Sequence, residues 1–104
     1  MLHLFLTLVL HCSTMRFVNK KHRAILKAIF DRPDNKNIRW DDFIGALVEL
    51  GADVTERGGS MVGMRLNGRY AVFHRPHPGN LIYLSLLKSI RHYLLECGID
   101  PQEF

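Results

Sequence analysis

The stretch Phe73-His74-Arg75-Pro76-His77-Pro78 holds the groups best suited to chemistry in this sequence. Its two prolines fix φ and stiffen the loop, so two imidazoles and a guanidinium occupy a segment with little freedom. Histidine titrates near neutral pH, and a pair can supply the base and the acid of a phosphodiester transfer. The base would take a proton from a ribose 2′-hydroxyl, and the acid would protonate the leaving 5′-oxygen. Arg75 or Arg69 would hold the phosphate and its developing charge. A plainer role is open to the same histidines: contact with phosphate, or packing at a sheet edge. A metal reading is weaker, because His74, His77 and His92 have no nearby carboxylate or thiol to complete a ligand set.

The charge around this loop is lopsided. All ten acidic residues lie at or before Glu56 or at or after Glu96. Between them stand Arg57, Arg65, Arg69, Arg75, Lys88 and Arg91 without one carboxylate, and His74, His77 and His92 share the block. In a chain of net charge +4 such asymmetry predicts an uninterrupted cationic surface for a polyanion. The residues expected to bind RNA there are Arg65, Arg69, Arg75, Lys88 and Arg91.

The elements that must position these groups follow from periodicity and caps. Asn19 to Phe30 reads as a helix, with Asn19 as the cap and Ile25, Leu26, Ile29 and Phe30 as the apolar face. Lys20, Lys21, Arg23 and Lys27 fit a solvated face. A second helix runs from about Asp41 to Leu50, its carboxylates favouring the positive end. Gly51 closes it, and Trp40 is expected to pack as a staple just before it. Strands follow at Ala52–Glu56, Ser60–Leu66 and Arg69–Arg75. Asn67-Gly68 is a strong hairpin signal, because both turn positions need positive φ. Asn80 to Cys97 reads as the last helix, with Tyr83, Leu84, Leu87, Ile90, Leu94 and Cys97 one turn apart. Helices flanking a run of strands argue an α+β fold with the helices on one face of the sheet.

Length and composition close off other classes. The chain has 104 residues, 47% apolar and 23% charged, too apolar for a disordered chain and too short for a separate cofactor domain. Two cysteines, Cys12 and Cys97, make neither a disulfide framework nor a zinc set, and reduced thiols suit the cytoplasm. No G-x-S-x-G, P-loop or H-E-x-x-H sequence occurs, and Gly58, Gly59 and Gly63 make no dinucleotide fingerprint. Residues 1–14 carry no Lys, Arg, Asp or Glu. The apolar run Leu4–Leu10 is shorter than the about 20 residues a membrane span needs, and it lacks the basic leader and small residues of a secretory signal. This extension is read as a mis-assigned start ahead of Met15, an extra packed segment or a weak export signal, and 15–104 as one domain.

The chain resembles the HicA family of small bacterial toxins of type II toxin–antitoxin modules. The resemblance covers roughly Ile38 to Gly98. It rests on Leu47-Val48-Glu49-Leu50-Gly51-Ala52, the Gly-Gly-Ser turn at 58–60, His77-Pro78-Gly79, and Leu87-Lys88-Ser89-Ile90 with Cys97-Gly98. The Arg69–Pro78 stretch looks most like a proteobacterial branch with an added leading helix. The resemblance implies a fold like a double-stranded RNA-binding domain, α-α-β-β-β-α, with a three-stranded antiparallel sheet. It also implies a ribosome-independent mRNA endoribonuclease, an antitoxin partner of the HicB family, and no cofactor, metal or membrane. The family commonly has a catalytic histidine directly after the Gly-Ser of the turn. Here that position is Met61, which cannot transfer protons. Catalysis would then pass to His74 and His77, with Ser60 contributing a hydrogen bond, or the protein would bind nucleic acid without cutting it.

Overall fold

Asn19 starts the first helix through its side chain, whose Oδ1 accepts the backbone N–H of His22 at 2.8 Å and so satisfies an orphan donor of the first turn. In the computed structural model, which describes residues 18–103, this helix (α1) spans Lys20–Phe30. Helix α2 spans Trp40–Glu49, followed by strands β1 (Asp53–Glu56), β2 (Met61–Leu66) and β3 (Arg69–His74), helix α3 (Leu84–Glu96) and a 3-10 turn at Pro101–Glu103. The expected α-α-β-β-β-α order is observed, with one antiparallel sheet in the order β1-β2-β3. It is an α+β arrangement like that of a double-stranded RNA-binding domain. The apolar extension expected over 1–14 and the alternative start at Met15 lie outside the described residues. Among the described residues no helix is long and apolar enough to cross a membrane.

The β2–β3 hairpin fixes which side chains meet. Asn67 at φ 52° and Gly68 at φ 79° make the two-residue turn that their positive φ allows. The register then runs from Leu66↔Arg69 to Met61↔His74. Strand alternation puts Val62, Met64, Leu66 and Phe73 on the inner side, where all four are buried. They pack with Leu87, Ile90 and Leu94 of α3, Phe43 and Leu47 of α2, and Leu26 and Ile29 of α1. The ring of Phe73 meets that of Tyr93 on α3 edge to face, 5.7 Å between centroids. The outer side carries Met61, Gly63, Arg65, Tyr70, Val72 and His74, and among the described residues no helix covers it. Met61, Tyr70 and Val72 are exposed there.

Most boundaries fall within a residue of expectation, and the start of the last helix differs most. Helix α3 begins at Leu84 rather than Asn80, because the residues before it are extended and paired with the approach to α2. Trp40 donates its N–H to the Asn80 carbonyl at 2.7 Å, Ile82 donates to Ile38 at 2.9 Å, and Arg39 bridges Leu81. Trp40 is the first residue of α2 rather than its predecessor. It is buried and packs on Phe43 with ring centroids 5.4 Å apart. Cys97 is buried, as expected of a small apolar residue, and burial pushes its thiol up, so it is no ready thiolate nucleophile.

Helices α1 and α2 are tied at one end by Glu49. Its carboxylate accepts the Asn19 backbone N–H at 2.8 Å and lies 2.8 Å from His22 Nδ1. These two contacts, the backbone one foremost, hold Glu49 below the usual carboxylate range. A carboxylate lowered only in the folded state adds stability that is present above its unfolded pKa, about 4, and lost as pH falls through the folded value. The thermal midpoint is therefore expected to drop as pH falls below about 4. Glu49→Gln should flatten part of that slope in pH-dependent melts, and an unaltered slope would remove Glu49 from the account.

Candidate nucleic-acid interface

His74 ends β3 on the outer side of the sheet and is exposed. The hairpin register makes it the direct cross-strand partner of Met61. Its Nδ1 lies 3.4 Å from Ser60 Oγ, in the turn between β1 and β2. That turn is anchored to the histidine loop, since Arg75 donates its backbone N–H to the Ser60 carbonyl at 2.7 Å. Gly59, Ser60, Arg75, Pro76 and His77 line a concavity of about 350 Å³. Ser60 thus touches His74 and shares the hollow with His77. The arrangement brings Ser60, His74, Arg75 and His77 to one end of the sheet: two groups able to move protons, a hydroxyl donor and a cation.

The cation is not alone. The Arg75 guanidinium pairs with the Glu56 carboxylate, the residue that borders the acid-free block in the sequence. A phosphate at Arg75 must compete with this exposed pair, which sequence reading missed because it treated Glu56 as lying outside the site.

Farther along the same outer side, Arg65 lies opposite Tyr70 in the register. Its guanidinium is 5.3 Å from the ring centroid, and Arg57 donates from Nη1 to the Tyr70 hydroxyl at 2.7 Å. Arg65 therefore stands on the side of the sheet that His74 occupies. Neither Tyr70 nor Arg57 was among the expected RNA ligands, although Arg57 belongs to the acid-free block. The signal was available: a two-residue hairpin at Asn67-Gly68 fixes every cross-strand pair of β2 and β3 by counting outward from the turn.

The remaining expected RNA ligands are elsewhere, and one is corrected outright. Arg91 is 6% exposed. It donates from Nε to the Ile29 carbonyl at 2.6 Å and from Nη2 to the Asp34 carboxylate. That hydrogen bond is the main cause holding the Asp34 carboxyl below its ordinary range. Arg91 is a structural cation that joins α3 to the end of α1, and it is not available to RNA. Lys88 is exposed on α3, on the helix side of the sheet, where its charge also acts on Asp34. Arg69 alternates with Ala71 and Phe73 on the inner side of β3, and its charge reaches the Cys97 thiol. The expected uninterrupted cationic surface is therefore divided. Arg57 and Arg65 face outward, Arg75 stands at the loop, Arg69 and Lys88 lie toward the helices, and Arg91 lies within. Counting charge along the chain does not see the pleat of β3 or the return of Asp34 onto α3. Among the described residues no group of three or more His, Cys, Asp or Glu is placed to hold a metal ion.

A family model described as the HicA toxin of bacterial toxin–antitoxin matches residues 40–99, more than half of the chain and all of the sheet. Comparison with curated proteins and with solved structures gives no match.

Proposed function

Since this chain belongs to the HicA family of toxins of bacterial toxin–antitoxin modules, we propose that it acts by binding mRNA and cutting it as a ribosome-independent endoribonuclease. His74 and His77 are the proton-transfer groups of this reading. The observation that carries it is the pairing of His74 with Met61. The position where the family commonly has its catalytic histidine is a methionine here, and an imidazole stands directly across the ladder from it, about 5 Å away at Cα. The proton-transfer group has moved to the neighbouring strand while staying on the same side of the sheet.

The step balances without a further reactant. One imidazole takes the proton of a ribose 2′-hydroxyl, O2′ attacks the adjacent phosphorus, and the P–O5′ bond breaks. The other imidazole gives a proton to O5′, leaving a 2′,3′-cyclic phosphate and a 5′-hydroxyl. Arg75 and the Ser60 hydroxyl stabilise the charge on the non-bridging oxygens. Arg65 holds the flanking chain. A HicB-family antitoxin neutralises the toxin, and the site of action is the cytoplasm, where mRNA is found.

Met61 itself favours a second reading, a nucleic-acid-binding module of the same fold without cleavage. Purified protein on labelled single-stranded RNA, with chelator present, separates the two. Cyclic-phosphate ends that disappear in His74→Ala or His77→Ala support the nuclease. Tight, salt-sensitive binding with intact RNA supports the module. The Glu56–Arg75 pair gives a further expected outcome: Glu56→Gln frees the guanidinium and should tighten RNA binding by up to about fivefold at low salt, the scale of an exposed ion pair. Weaker binding in that variant would place Arg75 outside the phosphate site.

A further inference from the structure

We infer that the outer side of the sheet carries a stacking platform for an unpaired nucleobase, built on Tyr70, so that the RNA this protein takes is single-stranded. The inference rests on the RNA reading above and adds to it a residue and a substrate class.

The platform begins with a missing side chain. A Cβ on Gly63 would lie 2.5 Å from the Tyr70 hydroxyl and 3.0 Å from Arg57 Cδ. The ring of Tyr70 therefore leans diagonally across β2 over Gly63, a close approach that a glycine within a strand permits. Arg57 fixes its tip with a 2.7 Å hydrogen bond, and the Arg65 guanidinium lies over the ring, 5.3 Å from its centroid. Although held at three points, Tyr70 is 46% exposed. An aromatic ring immobilised against a sheet, part-exposed and carrying over it a guanidinium that no ion pair among the described residues holds, suits base stacking: an incoming base displaces the Arg65 guanidinium or stacks upon it, and the cation meets the neighbouring phosphate.

The surroundings favour RNA over other ligands. Among the described residues neither Arg57 nor Arg65 closes an ion pair. Asp53 faces Arg65 across the β1–β2 ladder without forming one. Val72 lies between Tyr70 and His74 on the same side of β3, so the platform and the imidazole share one strand, about 13 Å apart at the rise of a β-strand. A chain stacked at Tyr70 leads directly to the histidine end. A base inside an A-form duplex has both faces occupied by its neighbours, so only a splayed, unpaired base can use such a ring.

Fluorescence anisotropy on the full chain tests this. The probe is a 2′-O-methyl RNA of about a dozen nucleotides, which cannot be cut, used single-stranded and as its blunt duplex at equal salt. The wild type should prefer the single strand. Tyr70→Ala should weaken that binding roughly tenfold or more and leave the slope against log salt unchanged, since no phosphate contact is lost. Tyr70→Phe should retain most of the affinity. Gly63→Ala, which keeps the ring but pushes it off its seat, should weaken binding several-fold, and it serves independently if Tyr70→Ala folds poorly. Single-strand binding that is unchanged in both Tyr70→Ala and Gly63→Ala overturns the platform, leaves the RNA reading standing and returns this side of the sheet to a protein partner. A wild type that binds neither probe overturns both.

Discussion

Alanine at His74 is expected to slow RNA cleavage by roughly 10²- to 10⁴-fold, the usual contribution of a positioned general acid or base. Binding of uncut RNA should change little, because on the nuclease reading the imidazole would act on the transferred proton more than on the bound ground state. The loss should therefore fall on the single-turnover rate and not on the dissociation constant. The register supplies a sharper version. Met61 and His74 are cross-strand partners on one side of the sheet, so Met61→His in the His74→Ala background should restore part of the lost rate. Both positions are exposed, so the exchange disturbs no core. Full activity in His74→Ala would remove this histidine from the reaction. Absence of recovery in the double variant would mean that the two positions are not chemically interchangeable.

The largest expected effect on stability comes from Arg91→Met. The side chain is nearly as long and apolar, so packing is largely kept. What is lost is a cation that joins the Ile29 carbonyl and the Asp34 carboxylate. Removing one partner of a fully buried pair costs about 3–5 kcal/mol, mostly as the uncompensated group left behind; here Asp34 keeps Arg32 at 3.1 Å. That remaining pair and two further observations place this case below that range, at about 2 kcal/mol. Asp34 retains partial access to water, and Arg91 Nη1 is buried without a hydrogen-bond partner, so the native arrangement already carries a penalty. Urea unfolding measures the difference. RNA affinity, taken where the variant is still folded, should match the wild type, which separates Arg91 from Arg65. Asp34→Asn should cost less and should also weaken the acid dependence of stability, since Arg91 holds that carboxyl low in the folded state.

Where structure followed local rules, the sequence announced it. Asn19 caps a helix because a short amide side chain reaches the third N–H, and Asn67-Gly68 turns a hairpin because both residues accept positive φ. The same turn encoded more than was extracted from it. Counting outward from Leu66 and Arg69 gives Arg65 with Tyr70 and Met61 with His74, which is most of the candidate site. The residues that escaped are those whose partners are distant in the chain. Arg91 looked like a surface cation until α3 packed against the end of α1. Glu56 looked like a border marker until the histidine loop folded back to it. The late start of α3 belongs here too: residues 80–83 carry helical periodicity, but Ile38 and Trp40 supply hydrogen bonds that hold them extended.

The histidine loop is tethered at both ends. Before it, the Arg75 N–H is bound to Ser60. After it, Asn80 is bound through its carbonyl to Trp40 and through its side chain to Asp41 at 3.0 Å. Such a segment has little conformational entropy left to surrender when a ligand arrives. It is a template and cannot serve as a closing flap. If the ligand is a nucleic-acid strand, as proposed, the ordering of that strand and not of the loop would set the pace of recognition. An antitoxin that blocks this loop would meet the same ready-made relief, and its inhibition would come from occupancy rather than from distortion of the toxin.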